Sequence, residues 1–297
     1  MGEAYVYRPF RFFLTTNVIT WIAFFIVAYF SYQTGGGPGG SLSAAFLLLG
    51  MLAPALTALW MIQSSKNREL KKNFLDRLLN LKLIKPWTVP AILLIMPATV
   101  VVSVLLSCLF FGQSMDQLSI PQALYFSAGL VPVPVMLFGA AIVEEIGWKG
   151  YGMDSLRSKY TLFVASLVFA ALWAFWHFPL FFINGYYNNI LLKTDPLYAV
   201  NYIVALFPIV IIVNWLWFTN NGSILTGILF HAAANFQGIL AMGQIAKCIQ
   251  TVVLVILAIV VIFANREIFF GKLPTKIGEY GKESPIHTRG SSPHSDL

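Results

Sequence analysis

Apolar residues run through this chain in blocks too long for the alternation of a strand or the one-sided stripe of a surface helix. The blocks fall at 12–32, 42–63, 88–112, 122–147, 161–183, 198–219, 222–246 and 248–265. A helix needs roughly 20 mostly apolar residues to cross a hydrocarbon core of about 30 Å. The pattern therefore predicts an all-α, polytopic integral membrane protein of about eight transmembrane helices. The last two blocks are divided only by the Gln244–Lys247 neighbourhood, so their boundary is the least marked. No small-residue cleavage site follows the first block, which reads as a span and not as a cleaved signal peptide.

Between the blocks, segment 66–86 alternates basic residues with Phe74, Leu75, Leu78, Leu79, Leu81 and Leu83. That alternation suits an amphipathic helix lying on the membrane surface. Gly35-Gly36-Gly37-Pro38-Gly39-Gly40 is a short connection, and residues 271–297 are polar and rich in Gly, Pro and Ser, as a disordered tail would be. A single transmembrane domain over 1–270 is expected. The chain is 58% hydrophobic and only 10% charged, which fits the membrane class.

Charge sets the expected orientation. With the N-terminus inside, seventeen of the nineteen Lys and Arg residues fall in cytoplasmic segments, and only Lys193 and Lys247 fall outside. Such an asymmetry predicts both termini in the cytoplasm. The net charge of +7 then reflects orientation and contact with anionic lipid. A nucleic-acid partner is not expected, because no basic face is interleaved with base-stacking aromatics outside the membrane. Cys108 and Cys248 both fall in apolar blocks, which argues against a disulfide framework.

Only four ionisable side chains interrupt the apolar blocks: Glu144, Glu145, His177 and His231. A charge at the bilayer centre costs about 2.5–3.5 kcal/mol on insertion scales, so each such residue needs a reason to be there. Two acids and two imidazoles are also the materials of general acid–base chemistry. Adjacent helical residues point about 100° apart, so the two glutamates cannot serve one point equally. Glu145 can pair with Lys149 four residues on, which leaves Glu144 freer to face a polar intramembrane cavity. Trp173 and His177 share one helical face just before Pro179, and His231 shares one with Asn235. The bland readings are a solvated helix end, a packed imidazole among aromatics and an interhelical hydrogen bond.

Three short patterns occur in order on successive blocks. They are Glu-Glu-x-x-x-basic (Glu144, Glu145, Lys149), aromatic-x-x-x-His (Trp173, His177) and His-x-x-x-Asn (His231, Asn235). Together they resemble the motifs of the CAAX protease and bacteriocin-processing family of intramembrane proteases, over roughly residues 120–245. The layout is similar to archaeal members of its Ras-converting, type II CAAX prenyl endopeptidase branch. Lys149 stands where that family usually has Arg, losing a bidentate fork, and Trp173 stands where it usually has Phe.

The resemblance implies a glutamate-dependent endopeptidase. Glu144 would be general base on a water, assisted by His177. His231 and Asn235 would stabilise the oxyanion, and Glu145 would support the site. The implied substrate is a C-terminal Cys-a-a-X peptide, isoprenylated on its cysteine and cut after it. Phe175, Trp176, Phe178, Phe181 and Phe182 could wall a lipid path or simply pack. No cofactor is expected, although two His and a Glu from separate helices could also bind zinc. A proton-coupled transporter or channel would bury the same ionisable residues, and a family member acting on unprenylated membrane peptides is a further alternative. One tension remains. If the fourth helix ends near Tyr151 and an interfacial segment follows through Tyr160, Glu144 lies near a helix end while His177 lies some 16 residues into the next.

Overall fold

The computed structural model describes residues 5–33, 40–120 and 133–271. The expected start of the fourth span (122–132), the glycine-rich turn at 35–39 and the expected disordered tail from 272 lie outside the described residues. The described chain holds no strand. Its helices are α1 (Pro9–Gln33), α2 (Ser41–Ser64), α3 (Arg68–Leu79), α4 (Val89–Phe111), α5 (Val133–Gly147), α6 (Met153–Arg157), α7 (Leu162–His177), α8 (Tyr187–Thr194), α9 (Pro196–Thr219), α10 (Ile224–Phe236), α11 (Gln244–Ala264) and α12 (Arg266–Phe270).

Among the described residues, six helical segments are long and apolar enough to cross a bilayer: Pro9–Gln33, Ser41–Ser64, Pro86–Phe111, Leu162–Phe182, Pro196–Thr219 and Gln244–Ala264. The chain is a polytopic helical membrane protein. Of the eight expected spans, the fourth is described only from Val133. The seventh, expected over 222–246, is a helix of 13 residues, about 20 Å at 1.5 Å per residue. It stops where Gln237 enters a 3₁₀ turn and accepts a 2.7 Å bond from Gln250 Nε2. The following connection is pinned to the turn beyond α4: Ala241 N–H donates to the Ser119 carbonyl and Gly243 N–H to Gln117 Oε1. α11 therefore begins at Gln244, and Lys247 lies in the start of that helix instead of between two spans.

α5 and α10 pack against each other near the centre, with α2, α4 and α9 around them and α7 beside α9. Close approach depends on glycine where α5 meets α2. A Cβ at Gly147 would fall 2.4 Å from the Pro54 carbonyl carbon. Prolines inside helices free carbonyls that lipid cannot satisfy, and α1 supplies donors for two of them. Pro54 cannot bond the Gly50 carbonyl, which takes Thr20 Oγ1–H at 2.9 Å. Pro179, in the 3₁₀ turn after α7, cannot bond the Phe175 carbonyl, which takes the Phe178 N–H and the Trp21 indole N–H, the latter at 3.0 Å.

The fourth helix does not end at Tyr151. It continues from α5 through a π-helical turn, Trp148–Gly152, directly into α6. A π turn takes carbonyls off the usual i+4 ladder. Here Arg77 of α3, only 2% exposed, reaches in to the Lys149 and Gly150 carbonyls and to Gly222, while pairing with Asp154. That buried guanidinium, 72 residues away in sequence from Lys149, stabilises the continuation. It also closes the basic end of the bundle with a packed floor of Trp148, Tyr151 and Leu156. With the helical run reaching Arg157, Glu144 sits 13 residues above its end, and His177 sits 15 residues above the start of α7. The depth mismatch disappears.

Candidate active site

Four of the five expected site residues are buried: Glu144 is 6% exposed, Glu145 4%, His177 8% and His231 8%. Asn235 is half-buried. The structure brings all five to one cavity of about 180 Å³, between α5, α7, α9 and α10.

The two glutamates are held differently, as their angular separation on the helix requires. Glu144 Oε2 accepts two indole N–H bonds, from Trp148 at 3.3 Å and Trp173 at 3.2 Å. Both bonds fall on one oxygen. Trp148 lies four residues from Glu144, so the helix itself aligns that pair. The tryptophan at 173 supplies a donor that a phenylalanine could not. Glu145 turns to α10 and accepts from His231 Nδ1 at 3.0 Å. Its Oε2 has Lys149 Nζ at 3.9 Å and no hydrogen-bond partner. The i, i+4 pair expected of Glu145 and Lys149 is thus present but loose. The tighter partner of the ammonium is Asn214 Oδ1 of α9, at 2.6 Å, and Asn214 Nδ2 in turn donates to Ser166 Oγ at 3.0 Å.

The imidazoles are each fixed through Nδ1. In His177 that nitrogen lies 2.7 Å from the Trp173 carbonyl. A carbonyl only accepts, so Nδ1 carries the proton and Nε2 of the neutral ring is an acceptor. His231 Nδ1–H donates to Glu145, which leaves Nε2 as its other polar atom. The Trp173 indole packs edge-on against both imidazoles, with centroids 5.2 Å from His177 and 5.6 Å from His231. Asn235 Nδ2 donates to the Leu137 carbonyl at 3.1 Å. A primary amide has two N–H donors, so one remains.

Sequence reasoning missed Trp148, Asn214 and Tyr202. Trp148 had a legible signal in its i, i+4 spacing from Glu144. Asn214 is an amide within the apolar run of α9, as conspicuous as an ionisable group once polar residues are counted. Tyr202 lines the cavity, with its ring 5.6 Å from His177. The aromatic stripe behaves differently from the lipid wall considered for it. Phe175, Phe178 and Phe182 are outward-facing and pack on Trp21 and Phe25, and Phe181 is buried beside Leu191 and Ala199. Of the five, Trp176 lines a larger cavity of about 460 Å³ that shares Glu144, His177 and Asn235 with the first.

A bundle of apolar helices around a buried cluster of carboxylates, imidazoles and an amide defines an integral membrane protein with an internal acid–base site. Residues 125–237 match the family described as Type II CAAX prenyl endopeptidase Rce1-like. The chain is also 40% identical, over 277 residues, to the CAAX prenyl protease 2 of Methanococcus maripaludis, which covers 92% of this chain and 100% of that relative. The protein belongs to the type II CAAX prenyl endopeptidase family and is a membrane protease.

One substitution probes the packing of the site without replacing any of its polar side chains. A Cβ at Gly227 would lie 2.7 Å from Glu145 Oε2 and 3.0 Å from Lys149 Cγ. Gly227→Ala should displace the Glu145 carboxylate from His231 and lower kcat about 10–100-fold, the scale of an ångström-level misplacement. Folding should survive, since alanine is the better helix former. Turnover and thermal melting in detergent, measured side by side, test this; an unchanged kcat would show that Glu145 does not need its present position.

Proposed function

We propose that this protein removes the C-terminal tripeptide from isoprenylated Cys-a-a-X substrates by glutamate-activated attack of water. The observation that carries the reading is the convergence of Glu144, His177, His231 and Asn235 on one cavity large enough for a water and a peptide bond.

In this mechanism Glu144 is the general base. With its Oε2 held by two indoles, its other oxygen takes a proton from water as the water oxygen bonds to the scissile carbonyl carbon. His177 Nε2, an acceptor in the neutral ring, orients that water. The carbonyl oxygen becomes an oxyanion, held by the free N–H of Asn235 and by His231 Nε2 when protonated. With Glu145 on Nδ1, such an imidazolium keeps both N–H bonds occupied, much as a carboxylate supports a catalytic histidine elsewhere. The proton on Glu144 then passes to the leaving amine as the C–N bond breaks. A carboxyl that accepts and later returns a proton suits this task. Glu145 is a supporting residue because its bonds are already spent.

The mechanism as derived calls on no metal. The Lys and Arg asymmetry supports placing both termini in the cytoplasm. The direct test is cleavage of a farnesylated Cys-a-a-X peptide by purified protein, with and without a zinc chelator and against the unprenylated peptide. Release of the tripeptide that survives chelation and requires the prenyl group is expected. Loss with chelator, restored by zinc, would overturn the metal-free mechanism; equal cleavage of the unprenylated peptide would overturn the substrate assignment.

A further inference from the structure

The larger cavity continues from the catalytic one toward the end of the bundle opposite the Arg77 floor. It is lined there by the starts of α8, α9 and α11, including Asn188, Asn201, Gln244, Lys247 and Gln250. Most of the cavity's lining is apolar, and these side chains give that end the hydrogen-bonding groups a peptide backbone needs. Besides Lys149, which is enclosed at the catalytic end, Lys247 is the only cation among the residues lining either cavity.

Lys247 is placed for an anion. Its Nζ meets Tyr187 OH at 3.0 Å and lies 4.8 Å from the centre of that ring. Among the described residues no carboxylate pairs with it. It occupies the start of α11, a 21-residue helix with no acidic residue in its first turn. A helix N-terminus already carries partial positive charge, so a lysine there is unfavourable unless an anion joins it. Asn188, next to Tyr187 in α8 and 2% exposed, lines the same cavity.

A continuous path of contacts joins Lys247 to the catalytic end. A ladder of rings leads from the catalytic His177 to Lys247: His177 to Tyr202 at 5.6 Å, Tyr202 to Tyr187 at 6.3 Å, then the ammonium on Tyr187. Three extended residues cover about 10 Å. We infer that Lys247, with Tyr187, Asn188 and the first amides of α11, binds the free α-carboxylate of the substrate's last residue and so fixes cleavage three residues from the C-terminus. This rests on the peptidase reading above and adds a ruler to it.

The test compares a prenylated Cys-a-a-X peptide ending in a free carboxylate with the same peptide ending in a carboxamide. Native full-length protein should cleave the acid with kcat/KM about 30-fold above the amide, mostly through KM, the scale of one charge-assisted bond. Lys247→Gln should erase that preference, and Lys247→Arg should retain it. Binding of both peptides to Glu144→Gln protein gives a readout independent of turnover. Equal cleavage of acid and amide by native protein would overturn the carboxylate subsite while leaving the peptidase reading intact. Preferential binding of the acid without any cleavage would support the subsite and overturn the peptidase reading. No cleavage with equal binding would overturn both.

Discussion

Glu144→Gln is expected to lower kcat about 10³-fold, within the range that a positioned general base contributes, and to leave KM nearly unchanged. The geometry makes the substitution clean. Glutamine keeps the shape of the side chain and an oxygen that can accept from Trp148 and Trp173, so the cavity should persist without its base. Glu145→Gln should behave differently. Its loss disturbs a bond to His231 and a loose contact with Lys149, so some turnover should remain. Single-turnover cleavage by the two variants, each checked for native melting, decides between the carboxylates. If Glu145→Gln is the more damaging, the assigned roles are reversed and Glu145 with His231 must be the acid–base pair.

The parts of this site that were legible in the sequence were those whose signal is local. An ionisable residue in an apolar block announces itself because the bilayer penalises it, and three i, i+4 relations place side chains on shared faces before any fold is known. What escaped was set by partners far along the chain. Trp148-Lys149-Gly150-Tyr151-Gly152 carries a charge and two glycines, so it resembles a helix end. It remains helical because Arg77 takes its carbonyls and Phe74 and Phe12 fill the space that Gly150 and Gly152 leave. Nothing within ten residues reports that arrangement. The early end of α10 likewise depends on Gln250 and on the turn beyond α4, not on the run of apolar residues that continues past Phe236.

These two departures act together on the site. The continued fourth helix raises Glu144 away from its end, and the short α10 places Asn235 close to its own end. His177 is near the end of α7, where Pro179 turns the chain into a 3₁₀ segment. The candidate catalytic groups from three helices thus meet at one level, about midway along α9, whose Leu206, Ile209 and Val210 line the same cavity. Trp173 ties the level together, since one side chain donates to Glu144 while its ring contacts both imidazoles and its carbonyl orients His177.

Asn235→Ala should reduce kcat about 10²–10³-fold, the loss seen when one oxyanion donor is removed from other proteases. The alternative role for Asn235 is purely structural, since its Nδ2 donates to the Leu137 carbonyl and ties α10 to α5. The two roles predict different outcomes. A structural tie would lower thermal stability and spare the rate of the protein that remains folded. An oxyanion donor would spare melting and substrate binding and reduce kcat alone. Asn235→Asp sharpens the contrast. It preserves the shape, but a carboxylate there would face the developing negative charge, so its kcat should fall at least as far as that of the alanine variant. Because the second N–H of Asn235 makes no bond among the described residues, the catalytic outcome is expected. A variant with native kcat and lowered melting temperature would reassign Asn235 to packing and leave His231 as the sole donor to the oxyanion.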